Sequence, residues 1–187
     1  MQTKTYKQTI FILLFIAGLS VGASPDTNMN SPDTTPISGF ELDRYLGTWY
    51  EIARFPNSFE KNLVGVTASY SMKDNGMVKV VNAGYKHTLD GTYKSVVGKA
   101  KFAGDPDTGQ LKVSFFLFFY GDYHILKLDK EHYQYALVGG SSSKYLWILS
   151  REPQLDEKIY NELLKEAASR GYDLSLLEKV PQKSTPM

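Results

Sequence analysis

Between Gly47 and Arg151 the chain alternates apolar and polar residues in short runs, each closed by a turn signal. Eight runs stand out: Gly47–Phe55, Val66–Met72, Met77–Tyr85, Tyr93–Phe102, Leu111–Phe119, Tyr123–Asp129, Tyr133–Gly140 and Lys144–Arg151. A period of two is the mark of a strand with one face buried. In the first run it places Trp49, Glu51, Ala53 and Phe55 on the same face. Asn75-Gly76, inside "KDNG", tolerates positive φ and predicts a tight hairpin, and "GDPDTG" after Phe102 predicts a further turn. No helical period interrupts the series, which argues against parallel strand–helix–strand units.

The period changes once, in "DEKIYNELLKEAASRG". Leu155, Ile159, Leu163 and Ala167 share one helical face, Asp156 and Glu157 suit the first turn, Arg170 the last, and Gly171 the cap. A short apolar run, "LSLLEKV", follows. The pattern predicts an all-β fold: an eight-stranded antiparallel up-and-down β-barrel with one C-terminal α-helix packed on its wall. Closure removes exposed sheet edges, and eight strands leave room for one small ligand.

The ends read differently. Lys4 and Lys7 precede the apolar run Ile10–Leu19, and "VGA" at Val21–Ala23 offers small residues for cleavage before Ser24. Residues 1–23 are therefore expected to be a secretory signal peptide, the apolar run being too short to span a bilayer comfortably. Residues 24–38, rich in proline, serine, threonine and asparagine, are expected to be a flexible tether. The barrel domain is expected over 39–180, with a polar tail at 181–187.

Charge and composition narrow the function. Removal of the signal takes two lysines from a nearly balanced chain and leaves it formally at −1. No basic block marks a nucleic-acid partner. The chain holds no cysteine, which excludes disulfides, thiolate metal sites, cysteine nucleophiles and cysteine-linked lipid anchors. His87, His124 and His132 lack the spacing of a zinc site, and His124, in a strand, is read as a surface or packing residue rather than a haem ligand. The serines in "GASPD" and "GGSSSKY" form no nucleophile elbow, and no paired-carboxylate arrangement appears. No catalytic residues, metal or cofactor are expected, and the chain is not read as an enzyme. Aromatics at 13 % of residues suit strands and the lining of an apolar cavity.

Several motifs carry a resemblance. "GTWY" is similar to the glycine-x-tryptophan signature on the first strand of the lipocalin family, and "YLWILSR" to its late strand ending in arginine. "RYLGTWYEIARF", "TASYS", "GKAKF", "LKVSFF", "FYGDYHILKLD" and "YALVGG" resemble, in the same order, the bacterial Blc subgroup, which also includes the apolipoprotein D and plant temperature-induced lipocalins. The likeness runs from about Gly39 to Leu177.

The resemblance implies that Gly47, Trp49, Tyr50 and Arg151 are a structural signature, with Arg151 stacked across Trp49 to plug the closed end of the barrel. It implies binding, storage or transport of a small hydrophobic ligand, a fatty acid or lysophospholipid, with a role in membrane maintenance or stress. Matching strands and inward parity give Phe55, Val80, Phe115, Tyr123, Tyr135 and Trp147 as the expected ligand-binding residues. Three departures matter. Relatives in the bacterial subgroup carry a lipid-modified cysteine after the signal; its absence here predicts an exported periplasmic or secreted protein, with outer-membrane association lacking that anchor. Leu117 and Phe118 replace a glycine and a proline, so that Leu117, Phe118 and Phe119 are expected at the rim, in reach of a membrane. "SKY" at Ser143–Tyr145 replaces threonine-aspartate-tyrosine. The prostaglandin-converting members use a cavity cysteine that this chain lacks. A second reading is an envelope interaction protein that docks a membrane or partner through the apolar rim. Monomer and homodimer both remain open.

Overall fold

The computed structural model describes residues 31–183. The signal peptide expected over 1–23 lies outside the described residues, as do the first part of the tether and the last four residues of the tail. One turn of helix, α1 (Leu42–Tyr45), leads into eight strands: β1 (Gly47–Arg54), β2 (Leu63–Met72), β3 (Val78–Lys86), β4 (Tyr93–Phe102), β5 (Gln110–Phe116), β6 (Phe119–Leu128), β7 (Tyr135–Gly139) and β8 (Leu146–Ser150). Helix α2 (Glu157–Ser169), a 3-10 turn at Leu174–Leu176 and a short strand β9 (Glu178–Lys179) follow, the last elements among the described residues.

All pairings are antiparallel, in the order β2–β3–β4–β5–β6–β7–β8–β1–β9, and β1 also pairs with β2, closing the barrel. The seam explains the ninth strand. β1 pairs with β2 only from Gly47 to Tyr50, then leaves it, and β9 pairs with Ala53 and Arg54 instead. The amide of Gly65 donates to Pro181 O at 2.7 Å, and Gln182 Nε2 donates to Glu51 O and Val66 O at 2.7 and 3.0 Å. The C-terminal segment thus satisfies backbone groups that the splayed strands leave unpaired. The fold accordingly runs past Val180, where a polar tail was expected to begin.

It also starts before Gly39. Asp33 N donates to Arg170 O at 2.8 Å, Ile37 N to Ile125 O and Gly109 N to Ile37 O, both at 2.9 Å. The segment expected to be a free tether as far as residue 38 is therefore held on the wall from Asp33 onward. Arg170 is the clamp: its guanidinium also donates to Thr35 O and Leu126 O.

Two buried clusters divide the apolar residues. One lies inside the barrel and holds Trp49, Tyr70, Val78, Val80, Ala100, Leu111, Ile125, Val138 and Leu149. The other lies between the outer wall and α2, and joins Leu126, Leu137, Leu146 and Ile148 to Tyr160, Leu163 and Ala167. Asp156 caps α2 by accepting from the amides of Lys158 and Ile159, and Gly171, at φ +89°, ends it where a side chain would be strained. Each fully buried aliphatic residue under the helix contributes on the order of 1.5–3 kcal/mol.

Antiparallel order gives the barrel two different ends. Residues 73–77, 103–109 and 129–134 turn at the end that holds α1 and Arg151, and residues 55–62, 87–92, 117–118 and 140–145 turn at the opposite one.

Candidate ligand-binding site

The first end is closed from the sequence upward. Gly47 adopts φ +95°, and a Cβ there would lie 3.3 Å from Arg151 Nη1, so both the backbone and the close guanidinium require glycine. Arg151 sits with its Cζ 3.9 Å from the centroid of the Trp49 ring. Its nitrogens donate to Tyr133 O, Thr48 O, Arg44 O and Leu46 O at 2.8–3.2 Å. Burial holds the guanidinium pKa below its ordinary value, and four carbonyl dipoles supply the partners that water would otherwise provide. Trp49 is fully buried and donates its indole N–H to Tyr45 O at 2.9 Å. Tyr50, the fourth signature residue, is half-buried and pairs with Thr67 and Ser150 at the seam.

Above this plug stands a tyrosine cluster. Tyr45 and Tyr123 share a hydrogen bond of 2.7 Å, and Tyr70 donates to Tyr123 at 3.0 Å. Burial is the main reason all three phenols are harder to ionise, Tyr70 being raised to about 12. They form the floor.

Toward the other end, β1 contributes a buried charged group. Arg54 donates to Glu51 at 2.7 Å and to the carbonyls of Glu60 and Leu63 at 3.1 and 3.0 Å. Glu60, in the β1–β2 loop, accepts from Asn57 Nδ2 and, at 3.1 Å, from Trp147 Nε1. The one guanidinium is paired with the Glu51 carboxyl group, and a second buried carboxyl, that of Glu60, lies close to Glu51. Burial, and then the Glu60 charge, push the Glu51 pKa well above its ordinary value despite the Arg54 bond.

The opposite wall, β4–β5, is apolar and reachable. Cross-strand pairing puts Val96 beside Asn82 and Val113 beside Ala100, on the face of the inner cluster. By the same alternation Phe115 stands opposite Gly98, and its ring fills the space a Cβ there would need. Val96 and Phe115 remain 46 % and 39 % exposed, although the positions below them, Ala100 and Leu111, are buried. The lower half of the barrel is thus packed, and the upper half offers apolar surface. Asn82 Oδ1 is buried on this inner face without a hydrogen bond among the described residues.

The expected ligand-binding residues separate accordingly. Val80, Tyr123 and Trp147 belong to or pack against the inner cluster, and Phe115 extends it toward the mouth. Phe55 and Tyr135 do not. Both pack against the outer cluster under α2, Phe55 edge-on to Tyr172 at 6.0 Å between ring centroids. A β-bulge between Glu51 and Ala53 reverses the alternation of β1, so that Trp49, Glu51 and Arg54 face in while Ala53 and Phe55 face out. Tyr135 is placed outside by the parity of its neighbour, since Ala136 is the inward residue. Both are withdrawn from the lining. Sequence reasoning missed Arg54 and Glu60, Tyr45 and Tyr70, and Val96; the one available signal was a glutamate two residues beyond Trp49 in a strand.

At the mouth, Phe59, Tyr145 and Trp147 stack, with Tyr145 and Trp147 5.8 Å apart and nearly parallel. Leu117 and Phe118 form a two-residue turn, Leu117 at φ +46°, and Phe119 opens β6. The apolar run Leu111–Phe119 expected as one strand therefore contains the hairpin turn, which no glycine, proline or asparagine announced. Clefts on the outer surface, of about 360 Å³ along α2 at Lys127 and Glu162 and about 280 Å³ at the β9 seam, include none of Val96, Val113, Phe115 or Trp147. Among the described residues no group of three histidine or acidic side chains is placed to hold a metal ion.

Comparison with known proteins agrees with this geometry. Residues 40–182 match the family model for a lipocalin-like domain. The chain is a lipocalin. It is 46 % identical over 148 residues to the outer membrane lipoprotein Blc of Citrobacter freundii, covering 79 % of this chain and 82 % of that protein. It is 39 % identical over 160 residues to temperature-induced lipocalin-1 of Arabidopsis thaliana, covering 80 % and 83 %. Among solved structures, insecticyanin from the tobacco hornworm Manduca sexta aligns with a TM-score of 0.65 at 22 % identity, over 81 % of this chain and 86 % of that one, a likeness of fold alone. Lipocalins are in general binding and transport proteins, which suits a barrel with a packed floor and an apolar upper wall.

Proposed function

We propose that this lipocalin binds a single-chain lipid, a fatty acid or a lysophospholipid, and stores or carries it in the cell envelope in support of membrane maintenance or stress. The observation that carries the reading is the accessible apolar wall formed by Val96, Val113 and Phe115 above a packed floor. An acyl chain laid against that wall gains about 0.8 kcal/mol per buried methylene, enough for micromolar binding of a long tail after the cost of ordering it. The polar end would stay near the mouth, beside Trp147 and the Arg54–Glu60 group. Asn82 Oδ1 adds an acceptor for a hydroxyl. The names of the Blc relatives, outer membrane lipoproteins, support an envelope location. Since the chain has no cysteine, we place it as an exported soluble carrier rather than a lipid-anchored one. No catalytic step is part of the reading.

Native mass spectrometry of the processed protein, purified without detergent, tests it. A stoichiometric lipid adduct is expected, with extraction identifying its class, and Trp147→Ala or Tyr123→Ala should lose it while a surface variant such as Lys165→Ala retains it. An empty protein that also ignores added fatty acids and lysophospholipids would refute the carrier reading.

A further inference from the structure

The hairpin between β5 and β6 exposes more apolar surface than the ligand reading needs. Phe116, Leu117, Phe118 and Phe119 are exposed in succession, Phe118 at 84 %. The rings of Phe116 and Phe119 stack across the hairpin at 6.3 Å, so the tip is a pre-formed aromatic wedge rather than a loose loop. On the neighbouring outer face of β4, Tyr93 and Val97 extend the apolar surface along the mouth. Directly behind it, Lys99 Nζ lies 5.9 Å from the Phe118 ring and 5.7 Å from Tyr120, and Lys101 Nζ lies 4.8 Å from Tyr120. Aromatic residues at the tip and lysines one step behind match the depth profile of a bilayer surface, with acyl chains inside and phosphates above.

Charge points the same way. Among the described residues the mouth loops, adjoining strand ends and the β9 segment beside them expose Lys61, Lys86, Lys94, Lys144, Lys179 and Lys183 against two carboxylates, Asp90 and Glu178. The closed end is the reverse: its turns and α1 expose Glu41, Asp43, Asp74, Asp105, Asp107 and Glu131 against Arg44, Lys73 and Lys130. A barrel polarised along its axis approaches an anionic surface mouth first. A symmetric mouth-to-mouth dimer would instead press two lysine-rich ends together, which argues against a second copy as the occupant.

We infer that the Phe116–Phe119 hairpin and the Lys99/Lys101 belt form a docking surface for an anionic phospholipid bilayer, which seats the barrel mouth down. Its consequence, direct exchange of lipid between the bilayer and the barrel, rests on the carrier reading; the docking itself does not. The geometry differs from lipid anchoring because it is reversible and sensitive to salt.

Flotation of the full processed protein with phosphatidylcholine vesicles, with and without about a third phosphatidylglycerol, tests the inference. The protein should float with the anionic vesicles and far less with the neutral ones, and should detach at high salt. Phe118→Ser should weaken partitioning about tenfold or more, as expected for losing one buried aromatic side chain. Lys99→Glu with Lys101→Glu should abolish the preference for phosphatidylglycerol. A displacement assay with a fluorescent fatty acid, run on the same samples, should show unchanged binding in both variants. Wild-type protein that stays with the soluble fraction, or Phe118→Ser protein that floats as well as wild type, would overturn docking. So would a wild-type dimer that Phe118→Ser makes monomeric without any vesicle binding. Protein that floats but takes up no fatty acid would sustain docking and sink the carrier reading alone.

Discussion

Arg151 and Arg54 are both enclosed guanidinium groups, one at each end of the same barrel, and they meet different surroundings. Arg151 is surrounded by neutral acceptors, four backbone carbonyls and an indole face, and among the described residues no carboxylate bonds to it. Arg54 bonds to one carboxyl group, that of Glu51, and to the backbone carbonyls of Glu60 and Leu63, which tie it to the loop at the mouth. Carbonyl dipoles are fixed by the fold and do not titrate, so the Arg151 arrangement is rigid at any pH near neutrality. The Arg54 group has two acids to one base, and burial and then the Glu60 charge hold the Glu51 pKa well above its ordinary value. The closed end is thus held by groups that do not titrate, whereas the open end combines a buried acid of raised pKa with an apolar wall that stays accessible.

The largest effect should come from breaking the rigid end. Trp49→Ala removes a fully buried indole from beneath Arg151 and should cost about 3–5 kcal/mol, read as a lower denaturant midpoint. Molecules still folded should keep binding fatty acid, because the ligand wall is on β4 and β5. A weaker but more diagnostic effect belongs to the open end. The folded pKa of Glu51 lies above its unfolded value of 4.5, so folding takes up a proton in that window. The stabilisation is complete below pH 4.5 and is lost as the pH rises through the folded value. Glu51→Gln should therefore flatten the fall in melting temperature above pH 4.5, whereas an equivalent pH series in Arg151→Met should keep the wild-type slope. The smallest effect is expected at the rim: Phe118→Ser should change stability by less than about 0.5 kcal/mol while altering vesicle binding strongly.

How much of this the sequence disclosed follows the same division. The barrel, its closure and α2 were readable because period-two runs and one helical period survive in the primary sequence, and because Gly47, Trp49 and Arg151 stand in a recognisable order. Phe55 is misread as lining because parity along a strand holds only until a bulge interrupts it, and the bulge at Glu51–Ala53 leaves no mark in residue type; Tyr135 is misread because Ala136 beside it is the inward residue of β7. The turn at Leu117–Phe118 was hidden for a related reason, since five consecutive apolar residues look like uninterrupted strand. Asp33–Ser38 and Pro181–Gln182 were assigned to loose ends on composition, but backbone amides and carbonyls, which composition does not register, hold them to the wall. The Glu51–Arg54–Glu60 group joins a strand to a loop that folds back over it, a contact that spacing alone does not announce.

The proposed function places a ligand in the upper half of the barrel against β4 and β5, above the tyrosine floor. Photo-labelling with a fatty acid that carries a diazirine midway along its chain tests this most directly, with the adducts mapped by peptide mass spectrometry. Labels concentrated on Val96, Val113, Phe115 and Trp147, and absent from the outer cluster under α2, are the predicted result. Labels on Phe55, Tyr135 or the α2 cleft, or a labelling pattern that excess unlabelled fatty acid does not compete away, would contradict it.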